Sequence, residues 1–143
     1  MTDASSAKTP WHLWVIGIIA LLWNGFGTVD FTATVTRFEP WVSQYPPAMM
    51  DYIYALPLWN WIGWGLGTWG GFIGSILLLM RNKLAVWAYA LSLLGAAGSN
   101  AITLFDPPPA EVGANSALTI TIIAIAALLL GYAMWLKRKR VLN

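Results

Sequence analysis

"LPLWNWIGWGLGTWGGFIG", residues 56–74, packs four tryptophans and six glycines into nineteen residues. Three environments suit such a segment: a phosphate-cradling loop, an aromatic binding site, or a helix in lipid. A glycine loop for phosphate joins a strand to a helix in water, and nothing ahead of these glycines has strand character. On a helical wheel at about 100° per residue, Asn60, Gly63, Gly67, Gly70, Gly71, Gly74 and Ser75 fall within one sector of about 140°. Leu58, Ile62, Leu66, Trp69, Ile73 and Ile76 take the opposite side. Gly63, Gly67, Gly71 and Ser75 recur every fourth residue, a small-xxx-small ridge that lets another backbone approach closely in lipid. Trp59, Trp61 and Trp64 occupy the end nearest water, where an aromatic belt of interfacial anchors is expected; a ligand site walled by the same rings is the alternative.

The rest of the chain agrees with a membrane solvent. Of 143 residues, 58% are hydrophobic and 10% charged, against roughly 25% charged in soluble domains. Apolar runs cover Leu13 to Phe26, Ile62 to Met80, Leu84 to Phe105 and Leu118 to Leu136. Spanning about 30 Å of hydrocarbon takes about 20 helical residues. The last three runs meet that length directly, and the first needs its flanks from Pro10 to Trp14 and Gly27 to Phe31. The expected fold is an all-α integral membrane protein, one four-transmembrane-helix bundle over 1–143 with helices at about 11–36, 58–80, 84–105 and 117–136. A cleaved signal peptide is the competing reading of the first run, but the amino end carries Asp3 beside a single lysine, and no A-x-A site follows.

Seven of the eight Lys and Arg residues, all but Arg37, fall at one end when both termini share a side. Basic residues in short loops gather in the cytoplasm, so both termini are expected there, in a bacterial inner membrane. "KRKR" at 137–140 then reads as a topology anchor touching anionic lipid, with no nucleic-acid role. Glu39, Asp51, Asp106 and Glu111 sit in the opposite loops. The Phe38 to Leu56 loop mixes Pro40, Pro46 and Pro47 with aromatic residues suited to the headgroup region, and "DPPPAEVGANS", 106–116, reads as a stiff connector. The third helix answers the second with its own small face, Ala85, Ala88, Ser92, Gly95, Ala96, Ser99 and Thr103. Packing is expected to run through Gly63, Gly67, Gly71, Gly74, Ser75, Ser92, Gly95 and Ser99.

The first helix carries the most chemistry. Asp30, Thr34 and Arg37 follow one another at spacings of four and three, with Trp23 and Gly27 continuing that face inward. Ionisable groups within a bilayer are functional hypotheses by default, but depth matters. Counted from Trp11 at 1.5 Å per residue, Asp30 lies about 28 Å along the helix, near the far boundary, and Asn24 about 20 Å along. Asn24, Asp30, Thr34, Arg37 and Asn60 therefore form the candidate polar or ligand face. Trp11, His12 and Trp14 read as interfacial anchors. One histidine and no cysteine leave no bis-histidine haem site, no thiolate site and no metal cluster, so no cofactor is expected. With no serine-histidine-acid pattern and the acids mostly in outer loops, no enzyme activity is expected either.

"WHLW" at 11–14, "LLWN" at 21–24, Gly27, Asp30 and the Thr36–Arg37 pair resemble the first helix of a family of small bacterial four-helix inner-membrane proteins. The likeness continues through Pro57 and residues 67–95, about two thirds of the chain, and departs in the short proline-rich loop and in residues 106–116. It marks Trp11, His12, Trp14, Trp23, Asn24, Asp30 and Arg37 as motif positions. Some members of that family are labelled sugar transporters. Two functions follow as expectations: an accessory protein that assembles with itself or with a membrane partner, or an oligomeric carrier or channel for a small, sugar-like solute, since four helices enclose little polar path alone. Membrane lipids are the remaining expected partner.

Overall fold

The computed structural model describes residues 7–113 and 115–143; Asp3 and Ala114, used in the sequence reading, lie outside them. Six α-helices follow in order: α1 Trp11–Val35, α2 Glu39–Val42, α3 Pro47–Tyr54, α4 Leu58–Leu79, α5 Ala85–Phe105 and α6 Ser116–Arg138, with a 3-10 turn at Ala110–Val112. Four of them, α1, α4, α5 and α6, are long and apolar enough to cross a membrane. The described residues contain no strand.

Prolines set where these helices begin. Pro10, Pro46 and Pro57 are the N-cap residues of α1, α3 and α4, and α2 and α3 each carry a proline within their first two positions. A first-turn proline loses no hydrogen bond, because that N–H has no intrahelical partner, and its fixed φ already suits the helix. The proline-rich loop expected at the headgroup level thus contains two short helices. Its prolines start helices as well as stop them.

Three long helices end alike. Arg37, Arg81 and Arg140 adopt φ of 54°, 58° and 58°, immediately after the last turns of α1, α4 and α6. In each case the following N–H reaches back five residues, Phe38 to Ala33, Asn82 to Leu77 and Val141 to Leu136. This is the Schellman closure, which satisfies carbonyls left free at a helix end. Glycine is the usual residue there, since a left-handed conformation costs other residues roughly 1–2 kcal/mol. Arginine places its cation beside the negative end of the helix dipole.

The helices are ordered in space as α1, α4, α5, α6: α4 packs on both α1 and α5, and α6 packs on α5. Leu58, Ile62, Leu66, Trp69, Ile73 and Ile76 all point outward, the side of the wheel opposite the glycines. The inward side meets α5 with almost no side chain between backbones. A Cβ built on Gly95 would stand 2.5 Å from the Gly63 oxygen and 2.6 Å from the Gly67 nitrogen. The contact line on α4 runs through Gly63, Gly67, Gly70 and Gly74, whose added Cβ atoms would meet Ser99, Ala96, Ser92 and Tyr89 of α5.

The strict fourth-residue series is therefore not the α5 seam. Four residues overshoot one helical turn by about 40°, so the series rotates off its partner, whereas steps of four and three stay aligned to about 20° per seven residues. Gly71 and Ser75 turn into the junction of α1, α4 and α5. A Cβ on Gly71 would collide with the Asn24 side-chain oxygen of α1 and lie 3.1 Å from Ser92 Oγ of α5.

Both described chain ends meet the α4–α5 turn at the basic end of the bundle. Lys83 N–H donates to the Asn143 carbonyl and Asn143 N–H to the Arg81 carbonyl, both at 2.8 Å. The Arg81 guanidinium donates to the carbonyls of Val141 at 3.2 Å and Ala7 at 3.4 Å. Val141 and Leu142 are buried and join Leu13, Leu78, Tyr89 and Leu136 in the main apolar cluster.

Candidate functional site

Two polar constellations stand out, one inside the bundle and one at its acidic end. The inner one starts on α1, where Asn24 Nδ2 donates to the Ala20 carbonyl at 2.9 Å and to Ser75 Oγ at 3.3 Å. Ser75 Oγ donates to the Gly71 carbonyl at 2.8 Å and lies 3.0 Å from the Tyr89 hydroxyl of α5. An unbroken chain of side chains thus joins three helices. Ser75 and Tyr89 are both fully enclosed.

Further links tie the same helices above and below. Ser92 Oγ donates to the Gly67 carbonyl at 2.6 Å, and Asn60 Nδ2 to the Ser99 carbonyl at 2.6 Å. Thr28 Oγ1 reaches the Thr68 carbonyl at 3.1 Å. Among the described residues, no buried side-chain nitrogen or oxygen lacks a partner. In lipid an unpaired polar group costs several kcal/mol, so these bonds hold the interior closed. Asn24 and Asn60 are helix-to-helix fasteners in this arrangement.

At the acidic end, Asp30 organises the first loop. One carboxylate oxygen accepts from Trp41 Nε1 at 2.8 Å and from the Tyr45 hydroxyl at 3.0 Å, which pins α2 and the residues after it to the end of α1. Trp41 also rests against Phe26, with ring centres 5.9 Å apart. Burial, then the Asp30 charge and its hydrogen bond, push the Tyr45 hydroxyl above its ordinary pKa of 10.0. Tyr52 of α3 is raised in the same direction by burial and then by the Asp106 charge. That pairing reflects contact between α3 and the second loop, where α3 packs on the Ala110–Val112 turn.

The side chains of Thr34 and Arg37 turn to partners other than the Asp30 carboxylate. The Thr34 hydroxyl donates to the Asp30 carbonyl of its own helix at 2.7 Å, while the Thr34 carbonyl accepts from the Tyr54 hydroxyl at 2.9 Å. Arg37 stands over the Tyr54 ring, 3.9 Å from its centre. The helical spacing that placed Arg37 with Asp30 fails because α1 ends at Val35 and Arg37 takes the left-handed turn after it. Beyond Tyr54 the rings continue: Trp61 stacks on Tyr54 at 6.0 Å, Trp64 sits 5.7 Å from Trp61, and Phe31 meets Trp64 edge-on at 5.3 Å. Trp61 and Trp64 are therefore half-buried members of an aromatic ladder, whereas Trp59 is exposed. Trp41, Tyr45 and Tyr54 were legible only as scattered loop aromatics, because their partners lie across the loop.

Of the remaining positions, Trp11, His12 and Trp14 sit at the basic end, and Trp23 and Gly27 lie farther along α1. His12 Nδ1 lies 2.6 Å from the Tyr132 hydroxyl of α6, within a cluster that includes Trp11 and Trp135. Trp11 and Trp14 project outward, and Trp23 on α1 is also exposed. Gly27 abuts Thr68. Among the described residues, no three His, Cys, Asp or Glu side chains are grouped to hold a metal ion.

The acidic end can orient a loop, present the exposed Arg37 cation and offer ring faces at the water boundary. Asp30 has indole and phenol donors rather than a second acid or base. No family model, curated protein or solved structure matches this chain.

Proposed function

We propose that this chain is an accessory, assembly-forming protein of the bacterial inner membrane, with both termini in the cytoplasm and no catalytic chemistry of its own. The observation that carries this reading is the use made of the interior polar groups. Asn24, Ser75, Tyr89, Ser92 and Asn60 are bonded from helix to helix, and α4 lies on α5 at backbone contact. A bundle whose polar groups are committed to one another offers its outer surfaces and loop cap to partners. The likeness of the first-helix motif to small four-helix inner-membrane proteins supports the same compartment.

The alternative, an oligomeric carrier of a sugar-like solute, draws on the ring faces of Tyr54, Trp61 and Trp64 beside the Asp30 end. One preparation separates the two. Mild solubilisation followed by mass measurement should give a discrete homo-oligomer or a stoichiometric membrane partner. Reconstitution into liposomes should give no sugar-dependent flux. Solute flux from a homo-oligomer that retains no other membrane protein, disappearing in Asp30→Asn and Asn24→Ala, would replace the accessory reading with the carrier one.

A further inference from the structure

A groove of about 340 Å³ lies between α5 and α6 at the basic end, lined by Val86, Met134, Lys137 and Arg138. Met134, Lys137 and Arg138 are spaced three and four apart and so share one face of α6. Val86 forms the wall from the first turn of α5. Two neighbouring tryptophans fix the depth of this groove: Trp87, next to Val86, and Trp135, next to Met134, are both exposed. Outward-facing tryptophans at helix ends rest at the level of lipid headgroups.

We infer that this groove is a binding site for one anionic phospholipid, its phosphate held by Lys137 and Arg138 and its glycerol and first methylenes lying on Val86 and Met134. The charges suit a phosphate, and the apolar floor suits the part of a lipid just below it. A free anion would have no use for that floor. The four-residue basic run is divided by this geometry. Lys137 and Arg138 end α6 at the groove, whereas Lys139 is the C-cap and Arg140 turns the chain away through its left-handed φ of 58°. Net charge alone would make the two pairs equivalent; the groove does not.

The purified full chain in detergent micelles, titrated with phosphatidylglycerol or phosphatidylcholine and weighed by native mass spectrometry, tests the site. One phosphatidylglycerol should stay bound per chain, in preference to phosphatidylcholine, and millimolar inorganic phosphate should leave it in place. Basic residues near an anionic headgroup contribute roughly fivefold each, so Lys137→Gln with Arg138→Gln should weaken retention by roughly 30-fold. Lys139→Gln with Arg140→Gln should change it little. Val86→Trp keeps every charge and fills the groove, and it should also expel the lipid. Helical circular dichroism like the parent's qualifies each variant for comparison. Equal losses from the two glutamine pairs, full retention in Val86→Trp, equal retention of phosphatidylcholine, or displacement by inorganic phosphate would each overturn the assignment.

Discussion

Gly95 and Gly98 are three residues apart on the same helix, yet their surroundings could hardly differ more. A Cβ on Gly95 would meet backbone atoms of Gly63 and Gly67 at 2.5 and 2.6 Å, while one on Gly98 would find nothing within 4 Å. Backbone cannot rotate aside as a side chain can, so Gly95→Ala must push α4 and α5 apart. Overpacking of this kind costs about 1–3 kcal/mol. Gly98→Ala should instead be neutral or stabilise α5, because alanine in a helix is favoured over glycine by up to about 1 kcal/mol. Thermal unfolding in detergent should therefore show Gly95→Ala melting below the parent and Gly98→Ala at or above it. Equal melting temperatures for the two variants would mean that the α4–α5 crossing is looser than described. Composition shows only that both are glycines; which one is indispensable depends on a partner helix.

At the scale of elements, the long helices were legible because length and hydropathy are properties of a single segment. Their observed ends, such as Leu58–Leu79 and Ser116–Arg138, differ from those read off the sequence by no more than two residues. The outward face of α4 was legible too, since a wheel needs no knowledge of neighbours. Less legible was the neighbour met by each inward residue: the series Gly63, Gly67, Gly71, Ser75 looks like one ridge but divides between α5 and the three-helix junction. At that junction Ser75 touches both Asn24 and Tyr89, so it is the shared link between α1 and α5. Tyr89→Phe removes one end of the chain and leaves Ser75 bonded to the Gly71 carbonyl and to Asn24. Ser75→Ala strips a partner from both neighbours at once. Hydrogen bonds between membrane helices average about 0.6 kcal/mol in mutant cycles. We therefore expect Tyr89→Phe to cost about that much and Ser75→Ala about twice as much, measured as unfolding free energies in mixed micelles. A larger loss for Tyr89→Phe than for Ser75→Ala would remove Ser75 from the centre of the network.

For the whole molecule, charge and closure divide the bundle into two unlike ends. At one, Lys8, Arg81, Lys83 and residues 137–140 gather where Arg81 clamps the α4–α5 turn, Ala7 and the buried Val141–Leu142 segment. At the other, Asp30 gathers a loop of short helices and aromatic rings. That clamp was invisible in the sequence, which shows a basic tail and a basic turn but not that the two meet across a separation of 60 residues. The basic clustering nonetheless carries a directional consequence, because Lys and Arg in short loops are retained on the cytoplasmic side. The chain has no cysteine, so a single introduced thiol reports its own location. Ser43→Cys, exposed in the first loop, should react with a membrane-impermeant maleimide on intact spheroplasts. Lys139→Cys, exposed after α6, should react only once the membrane is opened. Opposite accessibility would invert the bundle: the clamp would then face away from the cytoplasm, and the Asp30 cap would be the surface available to cytoplasmic partners. Labelling of both thiols on intact spheroplasts would break the even number of crossings that holds the two termini to one side.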